Sequence, residues 1–207
     1  MQVGILGTGL VAQALARGFR GTGHDVRIGT RDPGGDKARS LGAVTFADAA
    51  RFGELAVLAT LWSGTENVIR LAGPDNFAGK VVIDTTNPLD SSHGPPPRLA
   101  VGFDDSAGEQ VQRWLPQARV VKAFNIVGNA FMVQPQFPGG PPDMFICGND
   151  AAAKQTVTDI CRSFGWPGAL DLGGIEMARY LEPLAMVWIV YGFGTGSWNH
   201  AFKLLRK

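Results

Sequence analysis

The segment from residue 3 to residue 12 constrains the fold of this chain more than any other segment. It reads VGILGTGLVA, an apolar run typical of a buried strand that passes into a tight glycine turn and then into an amphipathic helix. Gly7, Gly9 and Ala12 occupy the three small positions of the dinucleotide-binding pattern G-x-G-x-x-G/A. In that pattern the first glycine allows the turn and the second lets backbone N–H groups approach a pyrophosphate. The pattern predicts a nucleotide at a helix N-terminus, and the alternative is an ordinary strand–turn–helix unit.

Apolar runs and helical patterns alternate along the rest of the chain. Strands are predicted at residues 3–6, 25–29, 55–60, 80–84, 119–124 and 143–147. Helices are predicted at residues 10–21, 65–72 and 108–115, and after a cap at Asn149 or Asp150. This alternation predicts an α/β fold with a doubly wound, mostly parallel sheet of the Rossmann type.

The C-terminal segment is predicted to be helical. We expect residues 1–172 to form the dinucleotide-binding domain and residues 173–207 to form a small helical extension, which Pro183 kinks or breaks. Five apolar residues recur there at helical spacing: Leu181, Leu184, Ala185, Trp188 and Ile189. This stripe either packs on the sheet edge or forms a dimer contact or a wall of a substrate pocket.

Composition excludes several classes of function. The formal net charge of the 207 residues is +1, which gives no electrostatic reason to expect binding to nucleic acid or to an anionic membrane. The most apolar run, residues 183–193, is far shorter than the ~20 residues of a spanning helix, and Met1 lies too close to the first strand for a signal peptide. Cys147 and Cys161 are predicted to be buried thiols. We therefore expect a cytoplasmic protein without a metal site.

The end of the second strand indicates which dinucleotide binds. NAD-binding chains carry a carboxylate there to hold the ribose 2′-hydroxyl, but here Thr30 and Arg31 occupy that position. The Arg31 guanidinium suits a 2′-phosphate, and Lys37 adds a positive charge a few residues later. These residues favour NADP(H); the alternative is that Asp32 turns inward to hold the ribose of NAD.

Further cofactor contacts are expected at the carboxyl ends of the next three strands. The candidates are Thr60, Leu61 and Trp62; Thr86, Asn87 and Pro88; and Ala123, Phe124 and Asn125. Asparagine is also a common turn residue, so a structural role is the alternative for Asn87 and Asn125. No residue is predicted to act as a general acid or base: His24, His200 and Lys122 are interpreted as structural, and His93 as solvated.

Six sequence blocks together resemble a known family. The chain resembles the NADPH-dependent coenzyme F420 reductases, and it is similar to the cytosolic domain of the six-transmembrane metalloreductases. The resemblance covers nearly the whole chain. It depends on residues 4–9 (GILGTG), 29–32 (GTRD), 120–125 (VVKAFN), 145–150 (FICGND), 170–174 (LDLGG) and 178–182 (ARYLE).

The resemblance implies a Rossmann domain with a small C-terminal lobe in a homodimer. It implies that the turn at Gly7, with Thr8, Gly9, Leu10 and Val11, holds the pyrophosphate of NADPH. Thr30, Arg31 and Lys37 then hold the 2′-phosphate, and Thr60, Leu61, Asn87 and Ala123 to Asn125 line the nicotinamide end. The resemblance also implies a second redox ring near the nicotinamide, from coenzyme F420 or from FMN or FAD. Trp62 and the proline-rich loop at residues 91–102 lie where a deazaflavin needs room.

The expected activity is hydride transfer between NADPH and a deazaflavin or flavin acceptor. Such a transfer requires orientation and water exclusion from the protein more than acid–base catalysis. Two alternatives stay open at this point. One is an NADP-dependent reductase of another small molecule, although such enzymes usually carry a larger helical C-terminal domain. The other is an NADPH-binding sensor or interaction module in which Trp62 and the proline-rich loop close the cleft.

Overall fold

The computed structural model describes all 207 residues and contains one large sheet. Its eight strands follow the order β10-β9-β8-β5-β4-β1-β2-β3, and every neighbouring pair is parallel except β8 with β9. The strands are β1 (Gln2–Leu6), β2 (Asp25–Thr30), β3 (Val44–Thr45), β4 (Leu55–Leu58), β5 (Val81–Asp84), β8 (Arg119–Lys122), β9 (Phe145–Gly148) and β10 (Leu170–Asp171). The predicted α/β fold with a doubly wound, mostly parallel sheet is confirmed.

Seven α-helices connect these strands and cover both faces of the sheet. They are α1 (Leu10–Gly21), α2 (Asp36–Ser40), α3 (Phe46–Phe52), α4 (Trp62–Ala72), α5 (Ala107–Trp114), α6 (Ala151–Ser163) and α7 (Ala178–Thr195). Apolar residues of α1 and α6 form one core with one face of the sheet, and residues of α3, α4, α5 and α7 form the other. Because alternate side chains of a strand point to opposite faces, Val57 joins the first core and Leu58 the second.

The segment between β2 and β4 contains structure that the sequence patterns did not predict. Residues 36–52 form α2, β3 and α3. Helix α3 packs so closely on β1 that a Cβ atom at Gly4 would lie 2.1 Å from the carbonyl oxygen of Ala49. The helix is short, so its periodicity is weak, and its place is set by this contact with the sheet.

The proline-rich loop also contains regular structure. Strands β6 (Leu89–Asp90) and β7 (Arg98–Leu99) form a two-stranded antiparallel hairpin at its base. The Ala100 N–H donates to the Pro88 carbonyl at 2.7 Å, directly beside Asn87. The hairpin therefore stands at the carboxyl edge of the sheet, next to the end of β5.

The predicted C-terminal helix is present as α7, but it covers only part of residues 173–207. Pro183 lies inside α7 without breaking it, although its missing N–H leaves the Arg179 carbonyl without its usual helical hydrogen bond. The helix ends at Gly196, which has a left-handed φ of 67°, and the following residues are not helical. The expectation that His200 lies in the helix is therefore wrong. The tail returns to the sheet, where the Asp143 N–H donates to the Phe202 carbonyl at 3.0 Å.

The apolar stripe of α7 faces the protein. Leu181, Ala185 and Ile189 are buried, and Leu184 and Trp188 are half-buried. The indole N–H of Trp188 donates to the His200 carbonyl at 2.8 Å, so the tail is attached to this helix as well. No helix of the chain has the length and apolar character needed to cross a membrane.

Candidate functional site

The glycine turn after β1 leaves open space above the N-terminus of α1. Gly7 has a φ of 129°, and a Cβ atom there would lie 2.2 Å from the carbonyl oxygen of Ala59, so only glycine fits. Gly9 is the N-cap residue of α1, and a Cβ atom there would meet no atom within 4 Å. The two glycines thus serve different purposes. Gly7 is needed for the turn itself, whereas the missing side chain at Gly9 keeps the space above the N-terminus of α1 open.

The N-terminus of α1 is suited to an anion. No side chain caps it, and its first turn contains no acidic residue. Leu10 is 69% exposed and Val11 half-buried, while Ala12 is fully buried against the core. The unpaired N–H groups of the first turn and the positive end of the helix dipole therefore meet an open region.

The loop after β2 and the start of α2 present two cations that have no acidic partner. Arg31 and Lys37 are exposed, and neither lies within ion-pair distance of a carboxylate, whereas the nearby Arg39 pairs with Asp36 at 3.1 Å. The Thr30 hydroxyl, at the end of β2, is half-buried beside them. A phosphate group would supply the charge that these two side chains lack.

The Asp32 carboxylate is already used by its own loop. Its Oδ1 atom accepts from the Gly34 N–H at 3.0 Å, and its own N–H donates to the Thr30 hydroxyl at 3.4 Å. This local turn directs the carboxylate along the loop toward α2. The geometry therefore favours the NADP(H) interpretation over the alternative in which Asp32 holds the ribose of NAD.

Thr60 and Leu61 lie where β4 ends and α4 begins. The Thr60 hydroxyl is 2.9 Å from the Thr65 hydroxyl, which in turn donates to the Leu61 carbonyl. Leu61 is 84% exposed, which leaves its side chain available to a ligand at the carboxyl edge. The Trp62 ring instead stacks on Trp114, with ring centroids 5.5 Å apart. Helix α5 ends at Trp114 and then leads into the start of β8, at the amino edge of the sheet. The Trp62 ring is therefore directed away from the carboxyl edge, although the sequence patterns placed Trp62 among the cofactor contacts at that edge.

Two asparagine side chains join the ends of β5 and β8. The Asn87 side-chain amide donates to the Asn125 carbonyl at 2.8 Å, and the Asn125 amide donates back to Asn87 Oδ1 at 3.0 Å. The Asn125 amide also donates to the carbonyl of Leu181 on α7 at 3.1 Å. These two acceptors fix which end of the Asn125 amide is nitrogen and which is oxygen.

The remaining atom of this amide has no partner in the protein. Asn125 is only 6% exposed, and its Oδ1 atom is buried without a hydrogen bond. An orphaned buried acceptor costs free energy unless a ligand or a water molecule donates to it. The preceding residue, Phe124, is fully buried and has a φ of 62°, a strained conformation that turns the chain sharply at the strand end.

A buried cluster of three charged side chains lies beneath the carboxyl ends of β5 and β8. The Lys122 ammonium is 2.7 Å from Asp84 Oδ2 and 2.8 Å from Glu182 Oε1, and all three side chains are at most 1% exposed. Burial alone would lower the pKa of Lys122, but the two adjacent carboxylates outweigh it and raise that pKa above its usual value. Sequence reasoning identified Lys122 as structural but missed its two partners, which are distant in the chain.

The other ionisable candidates have structural environments. Burial raises the pKa of both Cys147 and Cys161 to about 12, which keeps these free thiols protonated. His24 lies 3.2 Å from the N-terminal amine, and His200 contacts the Trp188 carbonyl at 2.9 Å. No group of three or more His, Cys, Asp or Glu side chains is arranged to hold a metal ion.

Comparisons with known proteins bear on the family of this chain. The family model described as NADP oxidoreductase, coenzyme F420-dependent, matches residues 2–88. A solved structure from Arthrobacter sp. FB24, described as that of a proposed F420-dependent NADP reductase, is 40% identical, covers 100% of both chains and has a TM-score of 0.94. The chain belongs to the coenzyme F420-dependent NADP oxidoreductase family. Membership of this family supports an NADP-dependent oxidoreductase activity with NADP(H) as the cofactor.

Two curated relatives extend the comparison beyond this family model. The F420-dependent NADP reductase of Methanocaldococcus jannaschii is 32% identical over 143 residues, which are 69% of this chain and 63% of the relative. The metalloreductase STEAP3 of Rattus norvegicus is 31% identical over 188 residues, which are 89% of this chain and 36% of the relative. The chain thus spans less than two thirds of the length of either relative.

Proposed function

We propose that this chain transfers a hydride between NADPH and coenzyme F420 or a flavin at the carboxyl edge of its sheet. The observation that carries the proposal is the open, uncapped N-terminus of α1 near two unpaired cations, Arg31 after β2 and Lys37 in α2. A dinucleotide with a 2′-phosphate matches both features. The names of the related F420-dependent NADP reductases support the choice of acceptor.

The phosphate groups of NADPH are assigned to the ends of β1 and β2. The backbone of Gly7, Thr8, Gly9, Leu10 and Val11 would hold the pyrophosphate, since the helix N-terminus offers free N–H groups there. A separate set of side chains would hold the 2′-phosphate: Thr30, Arg31 and Lys37. Arginine offers a planar fork of donors to a phosphate, and lysine adds a point charge.

The nicotinamide is assigned to the ends of β4, β5 and β8. The residues that would line it are Thr60, Leu61, Asn87, Ala123 and Asn125. The unpartnered Oδ1 of Asn125 suits the amide N–H of the nicotinamide carboxamide, which is the kind of donor that this buried acceptor lacks. The Asn87 amide would act through Asn125 by fixing its orientation.

The protein's part in the reaction is orientation. NADPH supplies the hydride, the acceptor takes it together with one proton, and NADP⁺ is left, so no other oxidant or reductant is needed. The exposed Leu61 side chain and the hairpin formed by β6 and β7 would shield the reacting rings from water. No side chain is assigned as a general acid or base.

A homodimer is the proposed assembly. The outer face of α7 exposes Tyr180, Val187, Val190, Tyr191 and Phe193. No charged residue occurs between Glu182 and His200, so a second copy of the same face would meet it without burying a charge. Light scattering in solution tests this assembly, and a monomer at micromolar concentration contradicts it. The cytoplasmic location stays a prediction.

The activity is tested by following NADPH oxidation at 340 nm with purified protein. Coenzyme F420, FMN, FAD and riboflavin are offered as acceptors, with NADH as the control donor. Rapid, NADPH-selective reduction of coenzyme F420 or a flavin supports the proposal. NADPH binding without turnover on any acceptor contradicts it and favours the sensor or interaction module.

A further inference from the structure

The cluster formed by Asp84, Lys122 and Glu182 carries an uncompensated negative charge. The Lys122 ammonium lies within ion-pair distance of Asp84 and Glu182 and donates to the Thr86 carbonyl at 2.9 Å. Each carboxylate oxygen faces an ammonium, N–H or O–H group, and no contact joins the two carboxylates. Two carboxylates and one ammonium leave a net charge of −1.

Backbone groups account for the stability of this charge inside the protein. Asp84 Oδ1 accepts from the N–H and the hydroxyl of Thr86, at 2.9 and 2.7 Å. Glu182 accepts from the N–H groups of Ala107 and Gly108 at 3.0 Å each, so it caps the N-terminus of α5. The positive end of that helix dipole stabilises the excess charge without removing it.

The cluster lies directly below the region assigned to the nicotinamide. Asp84 and Lys122 are the last residues of β5 and β8, and Thr86, whose carbonyl contacts the ammonium, precedes Asn87. Three residues of extended chain span at most roughly 10 Å, which sets an upper limit for the distance from Asp84 to the Asn87 backbone. At such a distance inside a protein, a unit charge still acts measurably on another unit charge.

We propose that the Asp84–Lys122–Glu182 cluster favours NADP⁺ over NADPH at this site and thereby promotes hydride release from NADPH. The inference depends on the proposed function, because it assumes that the nicotinamide lies over the ends of β5 and β8. The nicotinamide ring is neutral in NADPH and carries +1 in NADP⁺, whereas the phosphates are the same in both. A fixed negative charge below the ring therefore acts on the difference between the two forms.

The substitution Asp84→Asn tests this electrostatic effect with little change of shape. Its Oδ1 atom keeps both contacts with Thr86, and Lys122 keeps Glu182 and the Thr86 carbonyl as partners. The measurement is the dissociation constant of each cofactor form by titration calorimetry. We expect the ratio of the NADP⁺ constant to the NADPH constant to rise about three- to tenfold, as for a unit charge removed within ~10 Å.

Glu182→Gln provides a second test that removes the same charge from the other side of Lys122, and the ratio should rise in the same direction. Glu109→Gln is the matched control, because Glu109 pairs with Arg179 across the same contact between α5 and α7 but is partly exposed to solvent. The control should leave the ratio unchanged. Circular dichroism checks that each variant is folded.

The outcomes separate this inference from the proposed function. An unchanged ratio, with equal affinity changes for both cofactor forms in folded Asp84→Asn and Glu182→Gln proteins, overturns the electrostatic effect while NADP(H) binding stands. Failure of the unmodified protein to bind either form overturns the proposed function itself. If neither variant folds, the two dissociation constants are compared in the unmodified protein. The proposal requires that this protein binds NADP⁺ at least as tightly as NADPH.

Discussion

The proposed cleft has a phosphate half, around Gly9, Arg31 and Lys37, and a nicotinamide half, above Asp84, Lys122 and Glu182. The phosphate half consists of exposed polar groups without protein partners, whereas the nicotinamide half rests on buried polar groups that bind one another. Arg31 and Lys37 have no acidic partner, and a Cβ atom at Gly9 would meet open space. Asp84, Lys122 and Glu182 are fully buried and mutually paired. In the proposed complex a ligand would complete the first region, whereas the protein already completes most of the second. The two halves should therefore respond differently to substitution: the first through binding, the second mainly through stability.

The largest effect is expected for Gly9→Val in the phosphate half. The added side chain has open space in the free protein, so the free energy of unfolding should change little. It would fill the space assigned to the pyrophosphate, so titration calorimetry should detect no binding of NADPH or NADH. Gly7→Ala is the contrasting variant, because its Cβ atom would clash with the Ala59 carbonyl and lower the stability itself. Retained NADPH affinity in the Gly9→Val protein would falsify the pyrophosphate assignment.

Lys122→Met should produce the largest loss of stability in the nicotinamide half. It leaves two buried carboxylates without their cation, which costs about 3–5 kcal/mol for a buried ion pair deprived of one partner. Urea denaturation followed by circular dichroism measures the change. Lys154→Met serves as the comparison, since Lys154 pairs with the partly exposed Asp171 and should cost less than about 1 kcal/mol. Similar costs for both variants would show that burial of the cluster does not matter.

A smaller effect, on cofactor affinity, is expected for Arg31→Ala in the phosphate half. Loss of a charge-assisted hydrogen bond to the 2′-phosphate should weaken NADPH binding by about 1–3 kcal/mol and leave NADH binding nearly unchanged. Arg39→Ala is the control, since Arg39 is already paired with Asp36. Equal losses of affinity for NADPH and NADH would remove Arg31 from the 2′-phosphate site.

The smallest effect is expected at a partly exposed ion pair near the start of α5. The Arg113 guanidinium donates two hydrogen bonds to the Asp105 carboxylate. These bonds are the main reason why the pKa of Asp105 is lowered to about 2. A carboxyl whose pKa is lowered by folding stabilises the protein above its unfolded pKa of 3.8, and the contribution is lost as the pH falls toward 2. Asp105→Asn should therefore cost up to about 1 kcal/mol at neutral pH, after allowance for solvent screening.

Urea denaturation at pH 7, 4 and 2 checks the ion pair. The stability difference between the unmodified protein and Asp105→Asn should shrink between pH 4 and pH 2. A difference that stays constant over this range would mean that the Asp105 carboxylate contributes nothing through its charge. The result also calibrates how much weaker an exposed pair is than the buried cluster.

Sequence patterns predicted the structure best where the residues that form a feature are close together in the chain. The glycine turn, the six longer strands of the large sheet and the two cations Arg31 and Lys37 were all predicted from neighbouring residues. Patterns failed where an element is too short for its periodicity to show. The segment at residues 36–52 gave no helical signal, and its helix α3 is placed by the missing side chain at Gly4.

The sequence by itself determined the doubly wound sheet and the expected dinucleotide, because both depend on local backbone geometry and on side chains close together in the chain. Only the tertiary structure decided the chemistry of the nicotinamide half. Lys122 meets Asp84 and Glu182 there, and the Asn125 amide is oriented by Asn87 and by the Leu181 carbonyl. These partners are 38 or more residues apart in the chain, so no local pattern links them. Their charges and hydrogen bonds act on one another only because folding brings the ends of β5 and β8 against α7.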